Sequence, residues 1–170
     1  TDKYEYALVN EELIYNFKHL DNLITKFDFT TEFPEYKLIS LATEAFKGCQ
    51  YLVSIELDDN LKYVGNNAFD YCRELKTINL PETVEEIGDN AFNTCYALSD
   101  ITLPDNISKI GGNIFSNTTI NSINVPRNLT VIPYDFLSTE VDSLYIPNTV
   151  TEINDNSFIT ENTNIYYEGT

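Results

Sequence analysis

The sequence has no methionine or tryptophan, a single histidine, and few basic residues. Ten Lys and Arg stand against twenty-seven Asp and Glu, so the formal net charge of the 170-residue chain is −17. A surface of that sign repels phosphate backbones and anionic lipid, and we therefore expect neither nucleic acid nor a bare membrane as a partner. Basic proteins, divalent cations and neutral glycans remain open as partners, and solubility alone is the simplest explanation of the charge.

The chain also lacks a long apolar run and a recognisable signal peptide. No stretch approaches the roughly 20 apolar residues that a membrane helix needs, so we expect no direct membrane insertion. The sequence begins at Thr1 rather than at Met, and we expect a processed or shortened chain from which any export signal has been removed.

Residues that carry catalysis or bind metals are scarce and dispersed. His19 has no nucleophile motif beside it, and no glycine-rich phosphate loop or calcium loop is present. Adjacent carboxylates on turns usually form solvated surface, and this applies to Glu11–Glu12, Asp58–Asp59 and Glu85–Glu86. Weak calcium binding at the surface remains open. We expect no enzymatic activity, no cofactor and no bound metal.

What the chain does have is a repeat of about 23 residues. Three residue types recur at that step, as Phe46, Phe69, Phe92 and Phe115, as Cys49, Cys72 and Cys95, and as Gly65, Gly88 and Gly111. An L-x-x-I-x-L triplet keeps the same step at Leu52-Ile55-Leu57, Leu75-Ile78-Leu80 and Leu98-Ile101-Leu103. Each unit also has two apolar residues three apart before its Phe, as at Val84 and Ile87. Later copies, which end at Phe136 and Phe158, are a residue or two shorter.

A unit of this length cannot bury its apolar side chains alone, and the period falls in the range of leucine-rich repeats. Stacked units bury them together, with parallel strands about 4.8 Å apart. Proline lacks the N–H that ladder pairing needs, so the strands end at Pro81, Pro104, Pro126 and Pro147. We therefore predict a right-handed leucine-rich-repeat solenoid with a parallel sheet of five or six strands on its concave face.

The turn after each second apolar pair carries its own pattern. We expect the glycine there, as at Gly88, to have a positive φ or to approach another backbone closely. Asn67, Asp89 and Asn90 follow the glycines and are candidates for capping the turn that carries Ala-Phe.

The segment LPETVEEIGDNAFNTCYALSDITLP, residues 80–104, resembles the BspA-type leucine-rich repeat with its L-x-x-I-x-L-P, V-x-x-I-G and A-F-x-x-C elements. The resemblance implies a bacterial surface or secreted protein, adhesin-like, which engages proteins or glycans of a host or a neighbouring cell. The later units depart from the pattern, because Thr118 stands near the next cysteine place and Pro133 and Asn154 replace glycine. We expect the last coils to be less regular.

The two ends of the stack need separate interpretation. We predict that residues 1–37 form an N-terminal cap on a degenerate first coil, that 38–158 are the repeats, and that 159–170 add a C-terminal strand or cap. Leu13, Phe17, Leu20 and Ile24 recur at spacings of 4, 3 and 4, which indicates a short helix in the cap. Ile24, Phe27 and Phe29 occupy a weaker strand slot, and alternating Ile165 and Tyr167 indicate a last strand.

Two further columns admit a structural and a functional interpretation. A spacing of 23 is not that of zinc ligands, so the cysteines are expected to be buried structural thiols, with a disulfide or metal site between adjacent coils as the alternative. Tyr51, Tyr71 and Tyr96 form a stripe after the Phe turn. Packing where the chain enters a strand is the favoured interpretation, and an aromatic ledge for a partner or a sugar is the alternative.

The outward positions of the L-x-x-I-x-L strands form what we call the strand face. They are Val53, Ser54, Glu56, Lys76, Thr77, Asn79, Ser99, Asp100, Thr102, Asn121, Ser122, Asn124, Asp142, Ser143 and Tyr145. Solenoids use extended faces of this kind for binding, so we predict a non-enzymatic binding module that makes reversible polar contacts here. The candidate contacts are Glu56, Lys76, Asn79, Asp100, Thr102, Asn124, Asp142 and Tyr145. Alternatively, the face is merely solvated and the chain is a rigid acidic spacer that presents other domains.

Overall fold

The computed structural model describes residues 3–10, 13–158 and 163–169. In this part of the chain the backbone winds into a solenoid of short strands with one four-residue helix. The strands are β1 (Tyr4–Leu8), β2 (Leu13–His19), β3 (Lys26–Asp28), β4 (Lys37–Leu38), β5 (Ser40–Leu41), β6 (Ser54–Glu56), β7 (Tyr63–Val64), β8 (Thr77–Ile78), β9 (Glu86–Ile87), β10 (Lys109–Ile110), β11 (Val131–Ile132), β12 (Ser143–Ile146), β13 (Glu152–Ile153) and β14 (Asn164–Tyr167). The helix α1 covers Phe29–Glu32. Within the described ranges no helix has the length and apolarity to cross a membrane.

The coils have two walls, because the two apolar clusters of a unit lie on opposite sides of the core. The front wall carries the L-x-x-I-x-L strands, with parallel pairing in the order β3-β6-β8 and again between β12 and β14. The return wall carries the second apolar pair, and its parallel order is β2-β5-β7-β9-β10, followed by β11-β13. Pairing joins equivalent residues, such as Ile55 with Ile78, so the repeat is in register from coil to coil.

The front wall is less continuous than the sheet of five or six strands that the sequence predicts. Residues 101–103 and 123–125 follow the same path without regular strand pairing. The side-chain amide of Asn124 accounts for this locally, because it accepts from the Leu103 N–H at 2.9 Å and donates to the Leu103 carbonyl at 2.6 Å. A side chain thus takes both bonds that the next strand would otherwise make.

The predicted helix in the N-terminal cap is wrong. Residues 13–19 form β2, which pairs antiparallel with β1 and parallel with β4 and β5. Asn16 has a φ of 51°, and this left-handed residue shifts the alternation, so that Ile14, Phe17 and His19 all face the core. Of the four residues whose spacing indicated a helix, only Phe17 is fully buried, and Leu20 is exposed. The weaker slot at Phe27 is a strand as expected, since β3 pairs with β6.

A column of stacked phenylalanine rings fills the space between the walls. Phe46, Phe69, Phe92 and Phe115 are fully buried, with successive ring centroids 5.4, 5.3 and 5.7 Å apart and interplanar angles of 4°, 2° and 11°. The next pair, Phe115 and Phe136, is edge-on at 72°. The change coincides with the shortening of the repeat from 23 to 21 residues.

The glycine column is required by a close approach between coils and not by a positive φ. A Cβ at Gly65 would lie 2.5 Å from the Ala42 backbone of the preceding coil, and Gly88 meets the Asn66 backbone in the same way. Asn67 and Asn90 take the left-handed conformation, with φ of 55° and 54°. The predicted cap at Asp89 is different in kind, because its carboxylate accepts from an N–H of the next coil, that of Gly112, at 2.8 Å.

The C-terminal end carries the predicted last strand. β14 pairs in parallel with β12, with Leu144 opposite Ile165 and Tyr145 opposite Tyr166. Ile165 packs against the core as expected, whereas Tyr167 is exposed.

Candidate functional site

All eight candidate contact residues on the strand face are exposed to solvent. The structure divides most of them between two depressions that share Thr102. The first is shallow, about 220 Å³, and includes Glu56, Asn79, Asp100 and Thr102. The second is an open groove of about 820 Å³ that includes Thr102, Asn124 and Tyr145. Lys76 and Asp142 line neither depression.

The shallow depression is polar because alternate residues of the front strands point outward. Ser54 pairs with Thr77, and the isoleucines between the outward residues are buried. The carboxylates of Glu56 and Asp100 therefore stand above a floor of hydroxyl groups. Such a set accepts hydrogen bonds from hydroxyl or ammonium groups of a ligand and offers no nucleophile with an adjacent base.

Part of the aromatic wall of the groove comes from Tyr166, which was not among the predicted contacts. Tyr145 and Tyr166 lie on paired strands, and their rings stack with centroids 4.9 Å apart and an interplanar angle of 15°. Tyr145 is 67% exposed and Tyr166 48%. The alternation contained the signal, because an inward Ile165 places Tyr166 on the strand face.

Arg127 closes the end of the groove at which the strands stop. Its guanidinium lies 3.1 Å from Glu168 and 3.7 Å from Asp105, and its backbone N–H donates to Asp105 at 3.1 Å. The three groups form a charged rim that spans four successive coils, with the arginine held between the two carboxylates. The sequence signal for this rim is weak, since Asp105, Arg127 and Glu168 belong to no repeated pattern.

The cysteine column is structural, and the disulfide alternative is wrong. Cys49, Cys72 and Cys95 are buried free thiols. Cys72 donates to the Phe46 carbonyl of the preceding coil at 3.1 Å, and Cys95 does the same to Phe69. Burial raises the pKa of Cys49 and of Cys95 to about 12 and shifts that of Cys72 upward as well. Among the described residues no cluster of three or more His, Cys, Asp or Glu could hold a metal ion.

His19 is part of the core and faces no nucleophile in the described structure. Its ring packs against Tyr4, Phe27 and Phe46, with centroids 5.1 to 5.6 Å away. Its Nδ1 accepts from the Asp21 N–H at 3.1 Å. Burial lowers the pKa of His19 below its ordinary value, so the neutral imidazole is the form that suits the fold.

The adjacent carboxylate pairs have structural partners. Glu85 pairs with Lys62 at 2.8 Å and Glu86 with Lys109 at 3.7 Å, on neighbouring coils of the return wall. Asp58 accepts from the backbone N–H of Asn60 at 2.8 Å and holds a turn. The third pair, Glu11 and Glu12, lies outside the described residues.

The tyrosine stripe is an exposed surface rather than packing at the start of a strand. Tyr51, Tyr71 and Tyr96 are between 44% and 52% exposed. The guanidinium of Arg73 lies 5.6 Å from the Tyr71 ring and 6.0 Å from the Tyr96 ring, in cation–π contact with both. The stripe is thus a second aromatic surface, away from the candidate contacts.

The comparisons with known proteins agree with this architecture. The family model described as a BspA type leucine rich repeat region, in six copies, matches residues 17–140 and 130–165. No curated protein sequence matches the chain.

Three solved structures have a similar fold. A leucine-rich repeat protein from Bacteroides ovatus is 24% identical, with a TM-score of 0.73 over 98% of this chain and 52% of that one. The T. pallidum leucine rich repeat protein is 21% identical, with a TM-score of 0.63 over 97% and 83%. The pneumococcal vaccine antigen PcpA is 22% identical, with a TM-score of 0.66 over 89% and 40%.

These identities show the fold alone, and the chain spans about half the length of the B. ovatus protein. The family match covers nearly the whole sequence and so decides the membership. The chain belongs to the BspA-type leucine-rich-repeat family, whose solenoid is commonly a protein-interaction module.

Proposed function

We propose that the chain is a non-enzymatic, adhesin-like binding module that engages a protein or glycan partner through the strand face. The observation that carries the proposal is the exposure of all eight candidate contacts on rigid, stacked coils. A scaffold whose backbone is fixed by pairing and by a stacked aromatic core holds polar side chains ready for a partner, and this lowers the entropic cost of binding.

The surroundings of the strand face support binding rather than chemistry. The strand face contains no histidine or cysteine, and its hydroxyl, amide and carboxylate groups suit reversible hydrogen bonding. A vaccine antigen is among the proteins of this fold, and this supports a location at the cell surface or outside the cell. The partner would then be a protein or glycan of a host or a neighbouring cell.

A binding screen of the purified chain against extracellular-matrix proteins and glycans tests the proposal. The strand-face variant carries Glu56→Lys, Asp100→Lys and Asp142→Lys. A matched control changes three exposed carboxylates outside the strand face and alters the net charge by the same amount, with Glu35→Lys, Glu152→Lys and Asp155→Lys.

Saturable binding that the strand-face variant loses and the control keeps is the expected result. Binding that survives the strand-face variant would place the site elsewhere, for example on the tyrosine stripe. If the screen finds no partner, the rigid acidic spacer becomes the better account.

A further inference from the structure

We propose that the groove beside Tyr145 binds a neutral oligosaccharide, one sugar ring of which stacks on the free face of the Tyr145 side chain. The inference rests on the proposed function, because it assigns a ligand class to the same strand face. Four features of the groove support it: a free aromatic face, an open space beside that face, a polar floor, and a rim whose arginine is already paired with carboxylates.

The free aromatic face follows from the register of the last two front strands. Tyr145 and Tyr166 are paired residues, so their rings stack along the axis of the solenoid and Tyr166 covers one face of Tyr145. The other face of Tyr145 is directed at the preceding coil, and the side chain is 67% exposed. A large aromatic face that is held by a neighbour and open to solvent is suited to stacking on the C–H face of a pyranose.

The space beside that face exists because Asn124 bends away from it. Residue 124 is the equivalent of Tyr145 on the preceding coil, and an extended side chain there would stand against the ring. Instead its amide makes two bonds to the Leu103 backbone, one coil further back, at 2.9 and 2.6 Å. The groove of about 820 Å³ opens where the Asn124 side chain would otherwise project.

The floor of the groove offers small polar groups next to the ring. Thr102 and Ser122 are exposed hydroxyl-bearing residues that line it together with Asn124. A hydroxyl group both donates and accepts, so it matches the hydroxyl groups of a sugar in either sense. The groove thus offers an aromatic face and hydroxyl groups to the same ligand, as a molecule with an apolar face and polar edges requires.

The charge of this surface favours a neutral ligand over a charged one. Although the chain carries a net charge of −17, only four of the fifteen strand-face positions are charged, three acidic and one basic. At the rim, Arg127 is already shared by Asp105 and Glu168, so an anionic ligand would meet two carboxylates and a cationic one would displace the arginine. The negative charge lies mainly elsewhere on the surface, where it cannot contribute directly to recognition in the groove.

The test is a titration of the full chain with a panel of neutral oligosaccharides of plant, fungal, bacterial and animal type. Binding is measured by isothermal titration calorimetry at low and at high salt. Tyr145→Ala removes the stacking face, whereas Tyr145→Phe keeps the ring and removes only the hydroxyl. Tyr51→Ala is the matched control, because Tyr51 is a comparably exposed tyrosine outside the groove. Thermal unfolding of each variant verifies that the solenoid is intact.

We expect at least one oligosaccharide to bind with little dependence on salt. Tyr145→Ala should weaken that binding by about tenfold or more, the scale of a truncated aromatic hot spot, while Tyr145→Phe and Tyr51→Ala should leave it within about threefold. A panel without a single binder overturns the inference, and so does sugar binding that Tyr145→Ala leaves unchanged. If either of these results is obtained but a protein still binds the strand face, the proposed function stands and only the glycan assignment fails. If neither a sugar nor a protein binds the strand face, both proposals fail.

Discussion

One kind of backbone contact, repeated from coil to coil, explains why glycine recurs at residues 65, 88 and 111. At Gly88 an added Cβ would overlap the Asn66 backbone of the coil before, and the same approach occurs one coil earlier at Gly65. The backbone cannot yield without separating two coils. The backbones of neighbouring coils can therefore approach this closely only if the residue is glycine. None of these three glycines has a positive φ.

Gly88→Ala should destabilise the chain by about 1–3 kcal/mol, the usual cost of overpacking a tight contact. Gly112→Ala is the control, because its Cβ would meet the ring of the half-exposed Tyr134, which can move aside. Urea unfolding of the two variants measures the difference. Equal losses, or a larger one for Gly112→Ala, would contradict the contact as the reason for the glycine column.

His19 makes the stability of the N-terminal coil depend on pH. Burial lowers its pKa from the ordinary 6.5, so in the window just below that value the unfolded chain binds a proton that the folded chain does not. The free energy of unfolding therefore falls as the pH drops below about 6.5 and levels off beneath the folded-state pKa.

The comparison of wild type with His19→Gln isolates this contribution, since the carboxylates titrate in both proteins. We expect the melting temperature of the wild type to fall more steeply than that of the variant between about pH 7 and pH 5. Parallel curves would show that His19 is as easily protonated in the folded chain as in the unfolded one.

Among the elements, the inward positions were predictable from the alternation, since Ile55, Ile78 and Ile165 face the core as their spacing predicts. Strand pairing was less predictable: β12 ends directly before Pro147 as expected, whereas the segments before Pro104 and Pro126 form no paired strand. The prediction failed at β2, where left-handed Asn16 shifts the alternation by one residue and Leu20, one of the four residues that indicated a helix, is exposed. The segment is a strand because Asn16 takes a left-handed conformation and because β1 and β5 pair with β2. The local sequence reveals neither feature.

The candidate site was predictable to the same degree. The alternation of inward and outward residues predicts that the eight candidate residues are exposed, as they are, and it also places Tyr166 beside Tyr145. It does not reveal that Asn124 turns back to Leu103, because this depends on an unpaired backbone segment of the neighbouring coil. The rim at Arg127 could not be predicted either, because it depends on an ion pair with Glu168, which lies 41 positions away in the sequence.

The phenylalanine column is the element that holds neighbouring coils together. Phe92 is fully buried between Phe69 and Phe115, so Phe92→Ala should cost about 3–5 kcal/mol in the free energy of unfolding. Tyr51→Ala, on the surface of the same stack, should cost less than about 1 kcal/mol. Chemical denaturation followed by circular dichroism measures both values, and a small loss for Phe92→Ala would contradict the column as the core.

For the whole molecule, the net charge of −17 opposes compaction. Most of the described ion pairs, such as Lys62 with Glu85, join solvent-exposed side chains and contribute little, and the pair of Lys47 with the buried Asp70 is the exception among them. Added salt should therefore raise the melting temperature, by about 2–4 °C for each kcal/mol of repulsion that is screened. A melting temperature that falls with added sodium chloride would show instead that the surface ion pairs outweigh the self-repulsion.

The central claim is that a partner contacts the strand face, and hydrogen–deuterium exchange of the chain with a partner from the binding screen tests it most directly. We expect binding to slow exchange of the amides in residues 54–56, 77–79, 100–102, 122–124 and 143–145. The return strands at 63–64, 86–87 and 109–110 should exchange as in the free chain. Protection confined to the return wall or to the tyrosine stripe would contradict the claim.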